Sequence, residues 1–358
     1  MEFATSHNII SIQWNASTVV VPVCPVSAIS VLDDLPKKWE QYAKILLRHE
    51  RTVEMMGDFQ TETTKATESV FSPSALKGKR AVITGAARGI GRAIAIALAS
   101  VGTDIVGIDV CAVVDTRSGV TPSSPADLEE TGRLVQERGV RWHPVILDQR
   151  DLPALRKAAA EISVSLGQID VLVANAGIQQ FHPLMELEDA DWNITIDTNL
   201  TGTANVLRAF GPQMVKRSSG RIIITTSTQG QHGTLHGAAY SASKWGLIGL
   251  MKSAALELGS HGITVNALVP GLIDTPLTRH EARYAQALET RGKRPSGQRS
   301  KDEQAARDGL KEASPLKVPW IDPDDVAPIV IFLASDAARM ISGSCFEVTA
   351  GDSAKNTA

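Results

Sequence analysis

From Lys77 onward, apolar residues fall into short runs rich in Val and Ile, separated by longer Ala-rich stretches of helical period. The runs are RAVITG (80–85), DIVGID (104–109), RWHPVILD (141–148), IDVLVANAG (169–177), GRIIITTS (220–227), GITVNALVPG (262–271) and GSCFEVTAG (343–351). Most are apolar throughout rather than alternating, which is what a strand covered on both faces requires. GIGRAIAIALASVG (89–102) and PADLEETGRLVQERG (125–139) space their apolar residues for one face of a helix. The pattern predicts an α/β protein with a doubly wound, seven-stranded parallel sheet over residues 77–351. No internal repeat of fixed period interrupts it.

Residues 1–76 lack this rhythm and read as an extension of unknown role, flexible or loosely docked. Within it only 35–56 has the spacing of an amphipathic helix, and 57–74 has the composition of a linker. The apolar run 17–32 is broken by Pro22 and Pro25, follows no Lys or Arg and is too short to cross a bilayer, so neither a signal peptide nor an anchor is expected. A membrane tether through 17–56 is the alternative. The charged segment 272–320 falls after a strand's carboxyl end, where ligands bind in such sheets, so it is a candidate lid; a solvated helical pair is the other reading. Residues 352–358 form a short tail.

Composition narrows the partners. A hydrophobic content of 43% supports a large core, and 36 basic against 39 acidic residues leave a net charge of −3, which favours neither nucleic acid nor an anionic membrane. A small, near-neutral substrate is expected. Cys24, Cys111 and Cys345 are odd in number and far apart, so no disulfide framework and no metal site are expected, and a reducing cytoplasm fits.

TGAARGIG (84–91) lies between the first strand and an Ala-rich helix. Gly85 suits a tight turn, Gly89 a close backbone approach to a pyrophosphate, and Gly91 close helix–strand packing, with the helix N-terminus offering N–H groups to the anion. Asp109 ends the second strand, 18 residues after Gly91, where a carboxylate accepts from a ribose diol and repels a 2′-phosphate. NAD is therefore favoured over NADP, although Arg88 in the loop is able to reach a phosphate. Asp148 ends the third strand, as an acceptor for an adenine amino group or as a helix cap. Asn175, Ala176 and Gly177 end the fourth, and let backbone lie against the cofactor.

Tyr240 and Lys244 are spaced i, i+4 on one helix face. A phenol ordinarily titrates near 10, and a neighbouring ammonium favours the phenolate. Ser227, at a strand end 13 residues earlier, is placed to donate to a substrate oxygen. By itself the Tyr–Lys spacing is an ordinary helix turn; the strand-end features make it a candidate proton-transfer site.

Taken together, TGAARGIG, NAG (175–177), Asn199 in IDTNLTGT, Ser227 in TTSTQG, YSASK (240–244) and VPGLIDT (269–275) resemble the short-chain dehydrogenase/reductases of the compact branch, a Rossmann fold, over residues 77–351. The resemblance implies that Tyr240 is the general acid/base, that Lys244 holds the nicotinamide ribose and lowers the tyrosine pKa, that Ser227 orients the substrate oxygen and that Asn199 supports a water relay to Lys244. It implies cofactor contacts from Ile90, Asp148, Gln149, Asn175 and Tyr240, with Pro270, Ile273 and Thr275 around the carboxamide and pyrophosphate. It also implies a homotetramer or homodimer. GIDVC (107–111), PADLEETGRLVQERG and the long 272–320 segment resemble the carveol dehydrogenase-like, mycofactocin-associated subgroup, whose members hold NAD tightly and oxidise secondary alcohols such as monoterpenols.

The expectation is an NAD-dependent enzyme interconverting a secondary alcohol, cyclic or terpenoid-like, and its ketone. One rival is an NADPH-dependent 3-ketoacyl carrier-protein reductase, which Asp109 argues against. Another is a catalytically silent dinucleotide sensor, which would be marked by loss of Tyr, Lys or Ser from the site.

Overall fold

A computed structural model of the chain describes residues 9–14, 17–22 and 69–355. The first two segments, β1 (Ile9–Trp14) and β2 (Ser17–Pro22), pair antiparallel from Ile9 opposite Pro22 to Trp14 opposite Ser17. The sequence reading expected no strands there. Two β-branched runs separated by two residues, the first of them Asn15, are a hairpin signal independent of any strand–helix alternation. The expected helix over 35–56, the linker as far as 68 and Cys24 lie outside the described residues.

Within residues 69–355, seven parallel strands follow the expected runs: β3 (Arg80–Thr84), β4 (Asp104–Asp109), β5 (Trp142–Ile146), β6 (Val171–Ala174), β7 (Gly220–Thr225), β8 (Ile263–Pro270) and β9 (Cys345–Val348). Their order across the sheet is β5-β4-β3-β6-β7-β8-β9, so the winding direction reverses between β3 and β6 and opens a crevice at the carboxyl ends. The helices are α1 (Gly89–Ser100), α2 (Pro125–Gln136), α3 (Leu152–Ser165), α4 (Asp189–Ile196), α5 (Gly202–Arg217), α6 (Ala238–Leu258), α7 (Glu281–Glu289), α8 (Arg299–Ala313) and α9 (Pro323–Ala334). A π-helical turn, Asp197–Thr201, joins α4 to α5.

The sheet is covered on both faces, and strand alternation divides the core accordingly. Ile83 and Val173 join Ile94 and Leu98 of α1 and Val330 and Leu333 of α9 on one face. Val82 and Leu172 join Leu155 of α3, Phe210 of α5 and Met251 of α6 on the other. Each such side chain, fully withdrawn from water, contributes about 1.5–3 kcal/mol. Packing begins just ahead of Lys77: Leu76 is buried, and its N–H donates to the carbonyl of Val101 across 2.9 Å.

Helix starts are fixed by side-chain caps. Ser124 and Asp127 form a reciprocal capping box at α2, with Pro125 in the first turn. Asp151 caps α3 by accepting from the N–H of Ala154 at 2.9 Å. Trp142 explains two glycines: a Cβ on Gly107 would lie 2.0 Å from its ring, and one on Gly132 2.3 Å. The segment after β8 folds as α7 and α8 around a small core of Tyr284, Ala287, Ala306 and Trp320. Among the described residues no helix is long and apolar enough to cross a membrane, and no cluster of His, Cys, Asp and Glu is arranged to hold a metal ion.

Candidate active site

The turn after β3 places glycine where nothing else fits. Gly85 has φ +70°, and its N–H donates to the carbonyl of Ile108 at 2.8 Å. A Cβ on Gly91 would sit 2.0 Å from the carbonyl oxygen of Gly85, so α1 approaches the strand end as closely as backbone allows. Gly89 has φ +55°, and a Cβ there would meet the Thr275 side chain at 2.9 Å. No side chain caps α1, so its first N–H groups are left for an anion. Arg88 lies half-buried at its N-cap: burial works against its charge, and the carboxylates of Asp109 and Asp127 work for it.

Asp109 is held in place by three donors. Its Oδ2 accepts from the N–H of Ala87 at 3.0 Å, and its Oδ1 accepts from Ser123 Oγ at 2.7 Å and the N–H of Cys111 at 3.2 Å. The carboxylate therefore braces the glycine turn. The loop that follows β4 supplies Ser123, which the sequence reading did not single out, and Arg117, whose guanidinium pairs with Asp191 of α4 at 2.9 Å.

Asp148 caps no helix, since Asp151 takes that place. Its carboxylate accepts from the N–H of Arg150 at 2.9 Å and from the Arg150 guanidinium. Gln149 is buried and donates to the carbonyls of Thr198 (2.7 Å) and Ala176 (3.1 Å), tying two loops together. The Asn175 side chain donates to the carbonyl of Thr84 at 3.1 Å, while Thr84 Oγ1 accepts from the N–H groups of Asn175 and Ala176, each at 3.0 Å. Gly177 is constrained by Asn199, whose Oδ1 would lie 3.0 Å from a Cβ there.

One cavity of about 460 Å³ joins these strand ends to Tyr240 and Lys244. Ile90, Asp109, Asp148, Gln149, Pro270, Ile273 and Thr275 line it, as do Ser227 and residues 175–177. Two predicted residues act from behind its wall. Gly91 sets the helix approach, and Asn199, fully buried in the π-helical turn, donates to the carbonyl of Ile178 (3.0 Å) and to Ser243 Oγ (3.1 Å) and accepts from the N–H of Ile178 (2.8 Å).

Tyr240 and Lys244 are both buried on α6, the ammonium 5.5 Å from the phenol ring centroid. Burial pushes the phenol up to about 12, against a hydrogen bond with Ser227 and the positive charge of Arg283. Burial likewise brings the Lys244 ammonium down to about 8, where it donates to the carbonyl of Thr225 at 3.1 Å. Ser227 Oγ also accepts from the N–H of Gln229 at 3.2 Å. The arrangement is a neutral phenol, a hydroxyl and an ammonium converging at the end of β7, suited to moving one proton to or from an oxygen.

The sequence reading missed the residues facing Tyr240 from the long segment. Arg283, Gln286, Ala287 and Thr290 of that segment line the same cavity at i, i+3, i+4 and i+7, so α7 and the residue that follows it turn one face inward. The spacing was present in EARYAQALE but was not resolved into a helix with a cavity-facing side.

Comparison with known proteins identifies the family and agrees with the fold. A family model described as short chain dehydrogenase matches residues 79–285. The (−)-trans-carveol dehydrogenase of Rhodococcus erythropolis is 35% identical over 288 residues, 78% of this chain and 99% of that protein. A 3-oxoacyl-[acyl-carrier-protein] reductase of Staphylococcus aureus is 35% identical over 276 residues, 76% of this chain and 97% of that protein. The crystal structure of carveol dehydrogenase from Mycobacterium avium in complex with NAD superposes with a TM-score of 0.73 at 34% identity, covering 79% of this chain and all of that one.

Proposed function

The chain belongs to the short-chain dehydrogenase/reductase family, and on that premise we propose that it interconverts a secondary alcohol, cyclic or terpenoid-like, with its ketone using NAD, Tyr240 acting as general acid/base. The observation that carries this reading is the single cavity that has Asp109 and the uncapped α1 among its surroundings and the Tyr240–Ser227–Lys244 group in its wall.

The residues present fit NAD. Backbone glycines and free N–H groups at α1 suit a pyrophosphate, and the braced Asp109 carboxylate suits a ribose diol and disfavours a 2′-phosphate. Bound NAD would supply the two-electron acceptor for alcohol oxidation. The chain's own residues manage the proton. In ketone reduction the neutral Tyr240 phenol donates to the carbonyl oxygen, which the Ser227 hydroxyl holds in line. In alcohol oxidation Tyr240 must first ionise, and Arg283 and Ser227 already pull against the burial that keeps it neutral. Lys244 positions the strand end through Thr225, and Asn199 fixes the chain at Ile178 behind it. We also place the protein in the cytoplasm as a homotetramer or homodimer, a reading supported by its family and by the only partly buried apolar residues of the edge strand β9.

The test is oxidation of a panel of cyclic secondary alcohols, carveol included, by wild type and Tyr240→Phe. Turnover falls by at least ~100-fold in the variant while NAD titration is unchanged; wild-type rates in Tyr240→Phe would sink the assignment. The relatives named 3-oxoacyl-[acyl-carrier-protein] reductase support a second reading, which efficient NADPH-dependent reduction of a 3-ketoacyl thioester would favour.

A further inference from the structure

Charge is distributed unevenly around the cavity. Asp109, Asp115 and Asp148 belong to the ends of β4 and β5 and the loop after β4. Facing Tyr240, the charge is positive and comes from Arg283 on α7, which interacts electrostatically with the phenol. Its guanidinium lies 4.7 Å from the ring centroid of Phe181, which in turn borders Gly237 at the start of α6. The aromatic ring and the α7 face thus hold the fork above the helix that carries Tyr240.

That guanidinium has spare donors. Among the described residues Nη1 donates to the side-chain oxygen of Gln286, Nε is buried without a partner, and no carboxylate lies within 4.0 Å. The wall holds two further guanidiniums: Arg88, on the side of the glycine turn, and Arg291, which is committed to the carbonyl of Ala287 at 2.9 Å and adds positive charge beside Arg283. Asp352, the acidic wall residue of the C-terminal turn, is paired with Lys355 at 2.9 Å. Gln179 and Gln229, also in the wall, each leave a buried side-chain oxygen without a partner. A hydrocarbon alcohol filling this space would leave the partly buried Arg283 cation without an anionic partner.

We propose that Arg283 is the specificity-determining residue of the site and that it reads a carboxylate carried by the alcohol or ketone substrate, away from the reacting carbon. This rests on the dehydrogenase reading above and narrows its substrate to hydroxy or keto acids, most simply a cyclic alcohol bearing one acid group. The edge of the fork left over by Gln286, Nε with Nη2, matches one carboxylate in a bidentate pair. The net charge of −3 had suggested a near-neutral substrate, but a whole-chain sum does not report the sign of the field inside one cavity.

Two measurements on the full chain separate this proposal from the assignment of activity. In the first, NAD-saturated protein is titrated calorimetrically with cyclohexanecarboxylate and with cyclohexanecarboxamide. The acid binds at least ~10-fold more tightly than the amide to wild type, Arg283→Gln erases the difference, and Arg283→Lys, which keeps the charge, retains part of it. Equal binding of acid and amide to wild type overturns the proposal, as does an acid preference that survives in Arg283→Gln. In the second, 3-hydroxycyclohexanecarboxylate and its methyl ester are compared as substrates with NAD. The acid-to-ester ratio of kcat/KM is at least ~10 in wild type and collapses in Arg283→Gln through KM. Turnover that ignores the acid group refutes the carboxylate site while leaving the dehydrogenase standing. Arg283-dependent acid binding without turnover of any secondary alcohol does the reverse.

Discussion

The ammonium of Lys244 donates to the carbonyl oxygen of Thr225 across 3.1 Å, linking α6 to the strand end that carries Ser227 two residues later. Both partners are buried, so the charge is retained at the expense of desolvation, and this is why the ammonium is brought down from 10.5 to about 8.

That relationship has a signature in stability against pH. Below about 8 the group is protonated whether the chain is folded or unfolded. Between about 8 and 10.5 the folded protein sheds the proton and the unfolded chain keeps it, so stability rises with pH across this window. Urea denaturation of wild type and Lys244→Met should diverge there by on the order of 2–3 kcal/mol. Tyr240, raised to about 12, works in the opposite sense only above pH 10, where the unfolded phenol ionises first. Parallel profiles from pH 7 to 10 would mean that Lys244 is not desolvated as described.

Asn199→Ala removes one acceptor and two donor contacts at once and leaves the N–H and carbonyl of Ile178 unpaired. The expected loss is about 2–4 kcal/mol in denaturant unfolding. Steady-state kinetics should show kcat reduced more than NAD affinity, because Ser243 precedes Lys244 and Ile178 follows Gly177, where a Cβ would lie 3.6 Å from the Lys244 ammonium.

Asp109→Ser shortens the side chain and removes the charge that opposes a 2′-phosphate. The ratio of kcat/KM for NAD over NADP should shrink by about 10- to 100-fold. Ser123→Ala, which removes the 2.7 Å donor while leaving the carboxylate, should weaken NAD binding without moving the ratio as far. A ratio unaffected in Asp109→Ser would place cofactor selection elsewhere.

Two glycines make a matched pair for the turn. Gly91→Ala drives a Cβ to 2.0 Å from the Gly85 carbonyl oxygen, a backbone atom that cannot swing away, so unfolding free energy should drop by more than about 3 kcal/mol and NAD binding should fail with it. Gly78→Ala meets nothing within 4 Å and is strained only by its φ of +79°, so about 1 kcal/mol is expected, with cofactor binding intact.

Most of the sheet and most of the site were legible in the chain because both rest on local patterns. Strands buried on two faces are apolar along their length, and β6, buried from Val171 to Ala174, is the clearest case. Gly91 was readable because its neighbours in sequence are also its neighbours in space. What escaped were partnerships across the fold. Trp142 lies against Gly107 and Gly132, and Arg283 against Phe181 from a segment about 100 residues away. The β1–β2 hairpin escaped for a different reason: two short strands joined by two residues show no strand–helix alternation.

The π-helical turn at Asp197–Thr201 fixes an angular offset within what is otherwise one rod from Asp189 to Arg217. An extra residue in a turn advances the phase of everything downstream by about 100°. Val206, Phe210 and Met214 point into the core at the phase set after the turn, while Asn199 within it points back at Ile178 and Ser243. A regular helix of the same length could satisfy one set of partners or the other. Counting residues along this rod thus matters as much as their identity, and deleting Thr198 alone would rotate Asn199 away from Ser243 while leaving both of those side chains in the sequence.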